Sequence, residues 1–129
     1  MKSKATGRNG EMAAALFLKK KGYAIECMNY HSRFGEIDII ATDGSYTVFV
    51  EVKTRTQGAK ICARESVDVH KRNRILRTAM CYLGANAESR NLRFDVIEVY
   101  IRDKTDFEIL KINHIENAFD AEAFDRALF

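Results

Sequence analysis

The chain contains no proline, and it shows no internal repeat and no low-complexity stretch. Its composition therefore marks no linker, and residues 1–129 read as one domain, long enough for a single core. Cysteine is scarce: Cys27, Cys62 and Cys81 are odd in number, scattered, and form no Cys-x-x-Cys pair. That pattern points to neither a disulfide framework nor a zinc site. His31, His70 and His114 are equally dispersed, which suits surface or packing roles. No apolar run is long enough to span a bilayer, and no secretory apolar core follows the basic start Met1-Lys2-Ser3-Lys4. The expectation is a cytoplasmic protein with no membrane partner. What remains is the ordinary mixture of a globular protein, 47% hydrophobic and 30% charged.

A net charge of +3 conceals a segregation. Between Lys53 and Arg77 eight basic residues face only Glu65 and Asp68, a local excess of +6, whereas residues 103–129 carry three basic residues against seven acidic ones. A basic stretch that follows an acidic cluster suits a polyanion held beside a metal site. It also suits a solvated loop and helix face.

Periodicity predicts a helix over 7–21, capped by Asn9, with Glu11 in its first turn and Gly22 ending it. Met12, Leu16, Ala13 and Phe17 form its apolar face. A strand follows over 23–29, then a polar connection over 29–35 and two charged strands. Residues 56–66 read as a loop. A second helix spans about 67–83, with Ile75, Ala79 and Leu83 buried and Leu76 and Tyr82 alongside. Residues 92–101 and 107–112 read as a strand pair joined by a turn. A short C-terminal helix over 115–128 offers Ala118, Phe119, Ala123 and Phe124 to the core. The order αβββαββ plus that last helix describes an α/β fold, a central mixed sheet flanked by helices.

The two charged strands carry the chemistry. They are Glu36-Ile37-Asp38-Ile39-Ile40 and Phe49-Val50-Glu51-Val52-Lys53, separated by a turn at Asp43-Gly44. Alternation places Glu36 with Asp38, and Glu51 with Lys53. A Gly44-Ser45 loop pairs residues whose numbers sum to 89, setting Asp38 opposite Glu51 and Glu36 opposite Lys53. An Asp43-Gly44 loop shifts the sum to 87 and keeps the faces. A three-residue loop with a bulge would split the cluster across two faces. Carboxylates opposed on one face cost stability unless something compensates them. Asp38 and Glu51 can hold Mg²⁺ or Mn²⁺, with the Val52 carbonyl as a further oxygen donor. Lys53 then points at the same site, where an amine of depressed pKa can orient or deprotonate water. Phosphodiester hydrolysis needs that combination. Spacing alone leaves a second reading open, a cross-strand Glu36–Lys53 ion pair on a wet face.

Together these pieces resemble the YraN-like family of small, uncharacterised bacterial proteins, members of the restriction-endonuclease-like (PD-(D/E)xK) superfamily. The resemblance lies in Gly7-x-x-Gly10-Glu11, Gly22-Tyr23, Asn29, Gly35-Glu36-Ile37-Asp38-Ile39-Ile40-Ala41 and Phe49-Val50-Glu51-Val52-Lys53-Thr54-Arg55. It continues through Lys71, Ala79-x-x-Tyr82-Leu83 and Arg93-Phe94-Asp95-Val96. It implies a restriction-endonuclease-like core with Asp38, Glu51 and Lys53 in the active-site positions. Glu11 matches an additional metal-site acid, and Glu36 belongs to the signature without an assigned role. His31 departs from an expected arginine, and residues 58–63 match loosely.

The resulting expectation is a Mg²⁺- or Mn²⁺-dependent endonuclease acting on nucleic acid, DNA rather than RNA, in branched or single-stranded form. Arg55, Lys71 and Arg74 are the candidate phosphate contacts. A homodimer accords with the habits of structure-selective members of that superfamily. Two other readings stand beside it: a non-catalytic nucleic-acid-binding module, and a protein-interaction domain using the acidic tail.

Overall fold

Seven elements follow one another in the order αβββαββ in the computed structural model, which describes residues 4–57, 69–85 and 90–119. They are α1 (Lys4–Lys20), β1 (Ala24–Ser32), β2 (Gly35–Thr42), β3 (Thr47–Thr56), α2 (Val69–Leu83), β4 (Leu92–Ile101) and β5 (Ile109–Phe119). The strands form one mixed sheet in the order β1-β2-β3-β4-β5. Only β3 and β4 run parallel, and α2 lies in the connection between them, as a parallel pair requires. No helix among the described residues is long and apolar enough to cross a membrane.

Each face of the sheet has its own core. Ala14 and Leu18 of α1 pack with Ile39, Ala41, Val48, Val50, Val52, Ile97, Val99 and Ile101. Ile75, Leu76, Ala79 and Leu83 of α2 pack on the other face with Ile37, Ile40, Phe49, Phe94, Val96 and Phe119. A stacked series runs across that second face, with 5.4 Å between the Phe49 and Phe94 ring centroids and 5.0 Å between Phe94 and Phe119. The strands β2 and β3 are β-branched because they are interior and buried on both faces.

The hairpin register follows from its turn. The Asp43 carboxylate accepts the N–H groups of Ser45 (2.8 Å) and Tyr46 (2.7 Å), and Gly44 adopts φ +97°. This leaves Gly44-Ser45 as the loop, and the pairs Ile39↔Val50 through Thr42↔Thr47 all sum to 89. The alternative sum of 87 and the three-residue loop are both excluded.

Several expectations are corrected. The helix α1 begins at Lys4, so Asn9 lies within it and caps nothing, and Glu11 is not in its first turn. Met12 and Leu16 are 62% and 55% exposed, and the buried stripe runs through Ala14 and Leu18. Strand β1 continues past Asn29 to Ser32, in place of a polar connection. Residues 115–119 are strand, not helix: Ile115 pairs with Val96 and Phe119 with Phe94. Asn117, at φ +52°, makes a bulge there, and the bulge spaces Ile115, Ala118 and Phe119 as a helix would. The predicted helix beyond 119 and most of the 56–66 loop lie outside the described residues.

Two packing features carry consequences. Gly10 is buried where α1 meets β3, and a Cβ there would lie 1.9 Å from Thr54 Oγ1. On the same side of the sheet, Asp95 accepts hydrogen bonds from Arg93 Nη2 (2.9 Å), His114 Nε2 (2.7 Å) and the Asn117 N–H (2.9 Å). Lys21 Nζ donates to His114 Nδ1, so Nε2 carries the proton given to Asp95. Burial alone would raise the Asp95 carboxyl, but these bonds, His114 and Arg93 foremost, hold it below the usual carboxylate range. Gly10→Ala should destabilise the fold by about 1–3 kcal/mol in urea unfolding, and adding Thr54→Ala should recover part of the loss. Asp95→Ala takes the acceptor from His114 Nε2 and one of three carboxylates from Arg93, which keeps Asp43 and Glu116, and should cost about 1–3 kcal/mol in the same measurement.

Candidate metal centre

The sheet opens at Asp38. The β2–β3 ladder ends at Ile39↔Val50, one residue short of Asp38 and Glu51. Beyond it the Asp38 Oδ2 accepts the backbone N–H of Val52 at 2.8 Å, doing the work of a strand carbonyl. On the other flank the β1–β2 pairs Met28↔Ile39 and Tyr30↔Ile37 bracket Asn29 and Asp38. Asn29 is left-handed there, at φ +52°, a conformation that Asn tolerates better than other non-glycine residues. The alternation of faces breaks at the same level. Ile37 belongs to the α2-side core and Ile39 to the α1-side core. The carboxylate of Asp38 thus sits at a gap between strands instead of on a regular pleat.

Three acids converge on that gap. Carboxylate oxygens of Glu11, Glu36 and Asp38 lie within 4.8 Å of one another. Glu11 arrives from α1, and its approach depends on the close contact at Gly10. Asn29 Nδ2 donates to Glu11 Oε1 (2.8 Å) and to Glu36 Oε1 (3.1 Å), tying the helix acid to the strand acid. His31 Nδ1 lies 3.8 Å from Glu36. Burial pushes the Asp38 carboxyl up to about 8, and the charges of Glu51, Glu11 and Glu36 push the same way, with the Val52 N–H opposing them.

Glu51 faces α2, next to this group. Its Oε1 is 2.7 Å from Lys71 Nζ and 3.2 Å from Lys53 Nζ. The two amines respond in opposite senses. Burial lowers Lys53, and Lys71 beside it adds to the effect, while Glu51 opposes it. Burial also works against Lys71, but the Glu51 carboxylate outweighs it and raises that amine above its ordinary value. A cavity of about 210 Å³ adjoins these groups, lined by Glu36, Asp38, Glu51, Lys71 and Arg74 among others.

The predicted residues are thus placed as follows. Asp38, Glu51, Lys53, Lys71 and Arg74 come together, and Glu11 and Glu36 complete the acidic side. Glu36 turns to Asn29 and His31, not to Lys53, so the cross-strand ion pair does not form. Arg55 follows two residues after Lys53 on the same face of β3, beside Tyr100. Val52 contributes its N–H to Asp38 and buries its side chain on the α1 side. Two residues escaped the sequence reading of the site. One is Asn29, whose signal was an Asn within an apolar strand. The other is Glu98, 1% exposed, paired with Lys53 in the β3–β4 ladder and bonded by Tyr100 and Asn113.

The donor set is all oxygen and strongly acidic, which fits a hard divalent cation. It also sets a pH dependence for the metal-free protein. Folding raises the Asp38 pKa, so its contribution is intact below the unfolded value near 4 and is lost as the pH climbs through about 8. Metal-free protein should therefore lose stability between pH 5 and pH 8.5, and Asp38→Asn should flatten that slope in urea unfolding.

The chain is similar to known proteins along most of its length. The profile described as "Uncharacterised protein family UPF0102" matches residues 10–99, a span holding every acid and lysine of the centre. A UPF0102 protein of Alkaliphilus oremlandii is 48% identical over 120 residues, covering 91% of this chain and 99% of that one. One from Caldanaerobacter subterraneus is 44% identical over 117 residues, covering 90% and 95%. One from Desulfosudis oleivorans is 44% identical over 116 residues, covering 89% of each. With a profile across most of its length and relatives of this identity, the chain belongs to the uncharacterised protein family UPF0102.

Proposed function

We propose that this protein is a metal-dependent nuclease with a restriction-endonuclease-like core, hydrolysing phosphodiesters of DNA in preference to RNA, in the cytoplasm. The observation that carries the reading is the half-buried Asp38 carboxylate, raised by desolvation and by three neighbouring acids, with the Glu51–Lys53 pair one strand away. Such an arrangement is costly in an empty fold and becomes favourable around a divalent cation. Asp38, Glu11 and Glu36 would hold Mg²⁺ or Mn²⁺, with Glu51 and the Val52 carbonyl as further donors. When bound, the cation would acidify the attacking water and neutralise the leaving oxyanion.

The chain's own groups perform the remaining tasks. Asn29 holds Glu11 and Glu36 in place. Glu51 positions Lys53, whose depressed pKa suits it to take a proton from water at Nζ. Lys71, kept cationic by Glu51, and Arg74 line the cavity where a phosphate would enter, with Arg55 further along β3. A second reading is a binding module without catalysis. It is favoured by one observation: Glu51 is already neutralised by two ammonium groups.

Mn²⁺ titration by calorimetry should show binding to the wild type and none to Asp38→Asn. With single-stranded, flap and junction DNA in Mn²⁺, Lys53→Ala should lower the cleavage rate by about 100-fold or more. Equal cleavage by wild type and Lys53→Ala would assign the activity to a contaminant and leave the binding module.

A further inference from the structure

Phe34 belongs to neither core cluster. It stands half-buried in the turn between β1 and β2, and its ring meets two guanidinium groups. Arg33 Cζ lies 4.9 Å from the ring centroid and Arg77 Cζ lies 5.4 Å away. Among the described residues neither arginine has a carboxylate partner, and the same holds for Arg74 one turn along α2. The next residue, Gly35, lines the cavity of the metal centre together with Arg74.

The turn is held in place. The Phe34 N–H donates to Ser32 Oγ at 3.0 Å. Ser32 Oγ and Thr78 Oγ1 share a hydrogen bond of 2.9 Å, and the Thr78 hydroxyl donates to the Arg74 carbonyl at 2.8 Å. Gly35 lies against α2, where a Cβ would meet Arg74 Cβ at 3.6 Å. The ring is therefore presented by a docked turn beside the cavity, outside both core clusters and with two guanidinium groups over it.

A planar apolar surface flanked by uncompensated guanidinium groups is what a nucleotide requires. The base stacks on the ring or on a guanidinium plane, and the backbone phosphates take the charge. A continuous duplex hides its base faces inside the stack, so only an unpaired nucleotide can use such a surface. We propose that Phe34, with Arg33 and Arg77, is a stacking platform for an unpaired base whose neighbouring phosphate enters the cavity lined by Glu51, Lys71 and Arg74. The substrate class is then single-stranded nucleic acid, or the unpaired nucleotides of a branch, instead of uninterrupted duplex. The placement of the phosphate rests on the nuclease reading, but stacking on Phe34 needs no cation.

The chain has no tryptophan, so Phe34→Trp introduces a single reporter at the platform. In EDTA, a single-stranded oligonucleotide of mixed sequence should quench its fluorescence saturably. The matching duplex should quench it at least about tenfold less effectively at equal concentration. By fluorescence anisotropy, Phe34→Ala should weaken single-strand binding about tenfold and leave duplex binding unchanged, with circular dichroism confirming the fold. An unquenched tryptophan, equal quenching by duplex, or a Phe34→Ala that binds single strands like the wild type would overturn the platform. The readout is independent of the metal centre. Quenching without Mn²⁺ binding or cleavage would uphold the platform and remove the nuclease reading, and cleavage without quenching would do the reverse.

Discussion

The hydrogen bond from the Val52 N–H to the Asp38 carboxylate is the hinge of this architecture. It lets β2 leave the ladder without orphaning a backbone donor in the middle of the sheet, where an unpaired N–H is costly. The departure has to be accommodated on both sides. On β1 the left-handed Asn29 absorbs it, and the amide of that residue then reaches the two acids brought in beside Asp38. From the α1 side, the missing side chain at Gly10 lets the helix come close enough to deliver Glu11. An irregular backbone, a bare helix position and a half-buried acid are thus parts of one local solution.

Two aspartates, one buried and one half-buried, respond to their surroundings in opposite ways. Asp95 is as deeply enclosed as any residue of the core, yet Arg93, His114 and a backbone N–H satisfy it, and its carboxyl falls below the ordinary range. Among the described residues Asp38 has a single donor, the Val52 N–H, and three acidic neighbours, and its carboxyl rises. Burial acts upward on both, so hydrogen bonds and neighbouring charge decide the outcome. A fold that satisfies one acid this fully and leaves another facing like charge concedes stability at the second. The opposite responses of Lys53 and Lys71, which share one Glu51 oxygen, repeat that division of labour between neighbouring groups of one type.

Much of the fold was legible, because its signals were local. The β-branched runs of β2 and β3, the Asx turn at Asp43 and the periodic stripe Ile75, Ala79, Leu83 each report their own neighbourhood. The errors share a cause. Asn29 and Asn117 interrupt strands with left-handed residues, and local reasoning reads such an interruption as an end. At Asn29 it ended β1 too early. At Asn117 it turned a bulged strand into a helix, because two extra residues between the pairs Val96↔Ile115 and Phe94↔Phe119 turn a period of two into spacings of three and four. Met12 and Leu16 misled for a related reason, since a helix with small residues all round can bury its alanines and leave its larger side chains outside.

By itself the sequence determined the order of the first seven elements, the interior character of β2 and β3, and the place of Asp38 and of Glu51 with Lys53 on neighbouring strands. Alternation and a two-residue turn are short-range geometry, and short-range geometry is written in adjacent residues. Only the tertiary structure decided that Glu11 and Glu36 join Asp38 while Glu51 turns to Lys53 and Lys71. It alone decided that Asn29 binds the acids together and that Phe34 is left outside the core between two arginines. Those outcomes depend on where the sheet opens and how closely each helix approaches it, and contacts between residues far apart in the chain are not encoded in any local pattern.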